Sequence, residues 1–341
     1  MGMKNLFDYA TKELSQDAFL RWLFENYNCE NESVKKAFRI LFNSFTSNKF
    51  KDKEITDLKT VAQWKNIDIS IWFKSDGEEN LIVIEDKTGS GIHDDQLEKY
   101  NKKIKEHNDY WKSRGKIYRT ERYLENSENI FKVFYKTNII DQWERSNAHK
   151  CGWENIYDIY SIHDLFSKID TDNEILGYYK EYIEKIHSNA KRKSPPSEWS
   201  LLSWHSFFND YRPLNCISEK KETNCYQKEY FYIKFFIKGH ENDLPCFEIR
   251  SRDFKLVENE KKCSILARVV LYNLSNQANE HDIKKWQESL KNSNSNFKLN
   301  YRKDTSKHKQ IGSICIKDID NTENALSSAL DHVNTLLSSL F

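Results

Sequence analysis

Asn66–Thr88, NIDISIWFKSDGEENLIVIEDKT, is the stretch whose reading decides the fold. Ile67, Ile69, Ile71 and Phe73 alternate with Asp68, Ser70 and Trp72, the two-residue period of a strand. Ser75-Asp76-Gly77 breaks that period with turn chemistry. The run Leu81 to Ile84 is then continuously apolar and ends in Glu85-Asp86-Lys87. Strand alternation puts Glu85 and Lys87 on one face and Asp86 on the other. With Lys74 opposite Leu81, the hairpin sets Asp68 opposite Lys87 and Ser70 opposite Glu85. Asp68 then lies diagonal to Glu85 on the same face. A slip of one residue would turn Asp68 away, so the register carries the inference.

Two carboxylates and an ammonium meeting at the ends of buried strands suit a hard cation, since Asp and Glu oxygens bind Mg²⁺ at roughly 2.0–2.1 Å. The lysine can then orient a nucleophilic water or offset charge on a phosphate. The ordinary reading of an acid-x-Lys triplet is an edge-strand ion pair. The chain has others at Asp57/Lys59, Glu219/Lys221, Asp253/Lys255, Glu260/Lys262 and Asp282/Lys284. Glu85/Lys87 differs in following four apolar residues and in having Asp68 one hairpin upstream.

This combination resembles the PD-(D/E)XK nuclease superfamily, whose pattern sets an Asp on the second core strand and (D/E)-x-K on the third. Asp68 stands at the Asp, Glu85 at the (D/E) and Lys87 at the lysine. Ile67 replaces the proline that names the pattern, a position that varies in the superfamily. The resemblance covers roughly the first half of the chain. It implies a restriction-endonuclease-like α/β core, a central mixed β-sheet flanked by helices. It also implies Mg²⁺-dependent hydrolysis of nucleic-acid phosphodiesters, with Mn²⁺ as a substitute, DNA favoured over RNA, and a place in prokaryotic defence, restriction or repair. Asp68 and Glu85 would hold the metal. A catalytically inactive nucleic-acid-binding or protein-interaction module on the same fold is the alternative, and hydrolysis of a small nucleotide second messenger stays open.

The flanks extend the pattern. Residues 9–27 read as a helix with Leu20, Phe24 and Tyr27 on one face, and Glu13 projects onto that face near its N-terminus. An acid there is a dipole-complementing first-turn carboxylate. Alternatively, by the resemblance, it is the Glu that many of these proteins bring to the metal from the helix before the sheet. A second helix near Ser33–Phe45 reads as core, and residues 54–64 as the first strand. After Lys87, the connector Gly89-Ser90-Gly91 leads to a helix beginning near Asp94. Gln96 and Tyr100 share one face of that helix. They match the Gln and following Tyr that several branches of the superfamily set beside the active site, unless Gln96 merely caps or solvates the helix. His93 reads as a loop histidine. Lys99–Arg122 interleaves basic residues with Tyr100, Tyr110, Trp111 and Tyr118, which suits phosphate contact with base stacking or, equally, a solvated helix face.

A strand at 130–136, another at 155–160, and helices at 162–169 and 173–188 complete the nuclease-like region, residues 1–193. Pro195-Pro196 marks a boundary. Residues 197–341 read as a smaller α+β module for substrate recognition or dimerisation. It has an aromatic helix at Trp199–Phe208, strands at 230–237, 246–250, 263–272, 297–301 and 311–316, and helices at 280–291 and 322–340. Lys plus Arg (53) balances Asp plus Glu (52), so any phosphate-binding surface is local. The 7 cysteines are scattered without a C-x-x-C pair, which supports neither a disulfide framework nor a zinc cluster. No apolar run approaches a membrane span and no secretory h-region opens the chain, so the expectation is a cytoplasmic protein, alone or with a second copy or a partner protein.

Overall fold

A computed structural model describes residues 5, 7, 13–92, 95–114, 122, 124, 127–192, 195–211, 221–226, 230–235, 245–257, 262–271, 280–293, 297–299 and 309–339. The chain forms two compact units, Met1–Ser188 and Asn189–Phe341.

In the first unit, helices α1 (Glu13–Glu25) and α2 (Glu32–Phe45) precede strands β1 (Thr56–Trp64), β2 (Ile67–Ser75) and β3 (Glu78–Lys87). Helix α3 (Gln96–Arg114) leads to β4 (Ile130–Lys136), α4 (Gln142–Lys150), β5 (Asn155–Tyr157), α5 (Ile159–Ser167) and α6 (Glu174–Ala190). The strands form one sheet in the order β1-β2-β3-β4-β5. The β1–β2 and β2–β3 pairs are antiparallel, and the β3–β4 and β4–β5 pairs are parallel. A mixed sheet follows directly from the chain, because a two-residue turn can join only antiparallel strands while a helical crossover joins parallel ones.

The β2–β3 register differs from the sequence expectation by two residues. Lys74 pairs with Glu79 rather than Leu81, Trp72 pairs with Leu81, and Ile69 pairs with Ile84. The cause is the turn: Ser75 pairs with Glu78, leaving Asp76 and Gly77 as a two-residue loop with φ of 53° and 78°. Positive φ at both central residues is the type I′ requirement, and Asp-Gly meets it readily. Because side chains repeat every two residues, a shift of two leaves each on its expected face. Asp68 keeps the face of Glu85 and Lys87, one step beyond the last ladder pair.

The two faces of β3 are covered differently. Leu81 and Val83 pack with Trp72, Leu97, Tyr100 and Ile104, so α3 closes this side. On the other side Phe42 meets Phe73 edge-on at 5.0 Å, Phe45 meets Tyr135 at 6.0 Å, and Phe19 stacks on Tyr179 at 3.7 Å. That layer belongs to α1, α2 and α6. Coverage on both faces explains why Leu81–Ile84 is a continuous apolar run rather than an alternating one. The end of β4 is fixed by a buried ion pair, Lys136 Nζ to Glu144 Oε1 and Oε2 at 2.7 and 2.8 Å. Glu144 also closes the α4 capping box with Asp141. The connector after β3 passes so close that a Cβ on Gly91 would stand 3.1 Å from Glu144 Oε1.

Several boundaries shift from expectation. The strand at 155 ends at Tyr157, because the Asp158 side chain accepts from the Tyr160 and Ser161 amides and starts α5 there. In the second unit, helix α7 (Leu201–Asp210) precedes an antiparallel six-stranded sheet. Its strands are β6 (Lys221–Tyr226), β7 (Tyr230–Phe235), β8 (Pro245–Leu256), β9 (Lys262–Leu271), β10 (Phe297–Leu299) and β11 (Lys309–Asp320), with helices α8 (Glu280–Ser293) and α9 (Glu323–Ser339). Strand β6 went unread because KETNCY carries no apolar alternation; it is an edge strand paired only with β7.

Replacing Lys136 by Ala leaves the Glu144 carboxylate buried without its partner, which costs on the order of 3–5 kcal/mol of stability. Urea denaturation should show that loss, and the double replacement Lys136→Met with Glu144→Leu should recover most of it.

Candidate active site

Four elements bring their ends to one place. Asp68 begins β2, Glu85 and Lys87 end β3, Glu13 opens α1, and Gln96 opens α3 with Tyr100 one turn on. The Lys87 ammonium is the common neighbour. Its Nζ lies 2.5 Å from Glu85 Oε1, 3.7 Å from Asp68 Oδ2 and 3.9 Å from Glu13 Oε2. It also donates to the Asp86 carbonyl at 3.1 Å. Gln96 Nε2 donates to Glu85 Oε1 at 2.6 Å and to the Tyr100 hydroxyl at 2.8 Å. All six residues singled out in the sequence therefore stand in one connected cluster. Glu13 stands at the N-terminal end of the face that buries Gln16, Asp17 and Leu20, with its own side chain 39% exposed.

Three residues that the sequence reading passed over hold these groups in place. The Ser90 hydroxyl donates to Glu13 Oε1 at 2.6 Å, Gln63 Nε2 donates to Asp68 Oδ1 at 3.2 Å, and the Asp86 amide donates to Asp68 Oδ2 at 3.0 Å. Ser90 sits in the glycine-flanked connector, where nothing but position marks it.

The electrostatics follow from burial. The Glu85 carboxyl is pushed up to about 8, first by burial and next by the Asp68 charge, with Lys87 pulling the other way. Burial alone would lower Lys87, but Glu85, Asp68 and Glu13 outweigh it and raise the ammonium above its usual range. Tyr100 is also raised, by burial and then by Glu85, so its hydroxyl stays protonated. Glu85 Oε2 is buried without a hydrogen-bond partner. A buried carboxylate oxygen left open, beside two further carboxylates, is a hard oxygen donor set that fits a divalent cation.

Behind this cluster lies a second set of polar groups. Asp86 points from β3 toward α1, as alternation requires, and Gln16 Nε2 hydrogen-bonds its Oδ1. Gln16 also reaches the Lys87 carbonyl at 3.4 Å. The Asp17 and Asp86 carboxyl groups are near enough to influence each other, and Asp17 Oδ1 and Asp86 Oδ2 are buried without a hydrogen-bond partner among the described residues. Burial raises both, Asp17 to about 6. Gln16 and Asp17 follow Glu13 by three and four positions, so one helix face carries all three. That spacing was legible; the missing information was that Asp86 would face it.

A further cluster joins α5 and α6. His163 Nε2 lies 2.5 Å from Glu184 Oε2, and the His163 and His187 rings stack at 3.6 Å. These three groups can share a metal ion. Imidazole with carboxylate favours transition metals, unlike the oxygen-only set at Lys87. His93, Asp94 and Tyr118 lie outside the described residues, as do residues 9–12 of the expected first helix.

A mixed five-stranded sheet with helices on both faces, its second and third strands carrying Asp68 and Glu85-x-Lys87, is a restriction-endonuclease-like fold. A sequence profile of the PD-(D/E)XK nuclease superfamily matches residues 4–174, and the chain belongs to that superfamily. Searches of curated proteins and of solved structures give no significant match. Membership makes this a protein of nuclease lineage, of a kind that typically uses divalent metals and acts on nucleic acid. Among the described residues no helix is long and apolar enough to cross a membrane.

The Asp17–Asp86 pair has a pH signature. Asp17 rises from 3.8 to about 6 on folding, so the native state binds the proton more tightly than the unfolded chain. The stabilisation is complete below about pH 4 and is lost as pH climbs through about 6. Asp17→Asn, which cannot titrate and can donate to Asp86, should flatten that part of the stability–pH curve in urea melts. An unchanged slope would place the proton elsewhere.

Proposed function

We propose that the cluster around Lys87 is the catalytic centre of an Mg²⁺-dependent nuclease that hydrolyses phosphodiester bonds, with DNA as the favoured substrate. The observation that carries the reading is the meeting of three carboxylates, from α1, β2 and β3, on one lysine ammonium. Asp68, Glu85 and Glu13 would hold the metal, Mg²⁺ or Mn²⁺ in its place. When bound, it would lower the pKa of a coordinated water and screen the phosphate oxygens.

The protein groups divide the remaining work. Lys87 stays an ammonium at neutral pH, because the carboxylates around it raise its pKa. That supports a positioning role, donating hydrogen bonds to the attacking water or to a non-bridging phosphate oxygen, over a role as general base. Gln96 and Lys87 both hold Glu85 by Oε1, which sets the carboxylate's rotation and leaves Oε2 buried without a hydrogen-bond partner. Tyr100, buried and protonated, accepts from Gln96 and so braces the amide that holds Glu85. Ser90 and Gln63 steer Glu13 and Asp68 in the same way.

Plasmid nicking with Mg²⁺ or Mn²⁺ tests the proposal, alongside a single-stranded RNA of matched length. Lys87→Ala and Asp68→Ala should each lower the cleavage rate by at least about a hundredfold, the usual effect of losing a group that acts on developing charge. Cleavage that persists unchanged in both variants would remove the cluster from the chemistry.

A further inference from the structure

The turn between β1 and β2 and the outer half of α3 enclose a groove of about 770 Å³ lined by Gln63, Trp64, Lys65, Lys103, Tyr110 and Trp111, among others. Aromatic rings run along it. Trp72 meets Trp64 edge-on at 5.5 Å, Trp64 meets His107 at 4.9 Å, and Tyr110 meets Trp111 at 5.1 Å. Buried Trp72 anchors this series in the core, while Tyr110 at its outer end is 47% exposed. The Trp64–Ile67 pair leaves Lys65 and Asn66 as a two-residue hairpin loop with φ of 56° and 66°, the type I′ arrangement. Here Lys103 Nζ donates to the Lys65 carbonyl at 3.0 Å and ties the turn to α3.

One wall residue of the groove touches the catalytic cluster. Gln63, one of its walls, donates to Asp68 Oδ1 at 3.2 Å. Its charge suits phosphate: Lys65 and Lys103 line it, and the one acidic residue among its described walls, Glu106, faces Lys102 at 3.9 Å. The volume falls in the range of roughly 300–1,000 Å³ that encloses a small ligand, the scale of about one or two nucleotides.

We infer that this groove is a binding track for unpaired nucleotides, in which bases stack on Trp64, Tyr110 and Trp111 while Lys65 and Lys103 meet the phosphates. The inference rests on the nuclease reading and narrows it: the strand delivered to Asp68 is single-stranded or frayed. A duplex hides its base faces in its own stack, so exposed rings select strands whose bases are free. Phosphate contacts alone would not discriminate.

The test is fluorescence anisotropy with the full chain in metal-free buffer, using labelled oligothymidylate, oligouridylate and a short DNA duplex. The parent should bind the unpaired oligonucleotides more tightly than the duplex. Trp111→Ala and Tyr110→Ala should each weaken that binding about tenfold, as loss of one base–aromatic stack does, with little change for the duplex. Trp111→Phe should restore most of it, and Lys103→Ala should flatten the salt dependence by about one counterion. Equal affinity of parent, Trp111→Ala and Tyr110→Ala for unpaired oligonucleotides, with melting curves showing each variant folded, would overturn the inference. So would an equal loss on duplex and single strand. The two arms of oligonucleotide separate DNA from RNA as the strand accepted. If the groove variants lose unpaired-strand binding but the parent cleaves nothing, the groove stands and the nuclease reading fails. If the parent cleaves and the groove variants bind unpaired strands as it does, only the groove fails.

Discussion

A lysine ammonium buried to 8% exposure is tolerable only where charge compensates it, and Lys87 is compensated by three carboxylates that arrive from three different elements. Much of the first unit can be understood as the means of bringing them there. The β2–β3 hairpin fixes Asp68 beside Glu85, the helical crossover places Gln96 above Glu85, and α1 lies so that its first residue reaches Lys87. Remove the lysine and three acids would face one another without a counter-charge. Remove the acids and the ammonium would have no reason to stay charged. The cluster is thus mutually dependent, and within it burial first, then the Asp68 charge, raises the Glu85 carboxyl.

The end of β3 works on both faces at once. Glu85 and Lys87 point to the α3 side and form the cluster, while Asp86 between them points to α1. Gln16 contacts both the Asp86 carboxyl and the Lys87 carbonyl, and the Asp17 charge bears on Asp86. These bonds tie α1 to the strand one turn beyond Glu13. The position of Glu13 is therefore set from behind the sheet, by residues that touch no substrate. A short hydrogen-bonded network of this kind, buried and coupled, is costly unless satisfied. Its retention makes sense if it holds the exposed Glu13 side chain within reach of the cluster.

The second unit has a different character. Its sheet is wholly antiparallel, and its core is built from Trp204, Phe207, Phe208, Phe235 and Phe247 with the aliphatic faces of β9 and β11. Arg268 pairs with Asp253 through two hydrogen bonds, at 2.9 and 3.0 Å, within that sheet.

What the sequence determined by itself was whatever depends on local periodicity and on short spacing. The alternation from Ile67 to Phe73, the run Leu81–Ile84 and the triplet Glu85-Asp86-Lys87 specified two strands, their faces and the identity of the principal charged groups. The i, i+4 spacing of Gln96 and Tyr100 gave their shared helix face. Even the wrong register preserved the site, because an error of two residues conserves side-chain direction. Tertiary structure alone decided what meets across long stretches of chain. Asp17 finds Asp86 and His163 finds Glu184 only after folding, and Gln63 reaches Asp68 only through a turn with positive φ. Such encounters leave no periodic trace in the chain. They arise because packing both faces of one sheet forces the ends of separate elements into the same small volume, where buried charge must be paired.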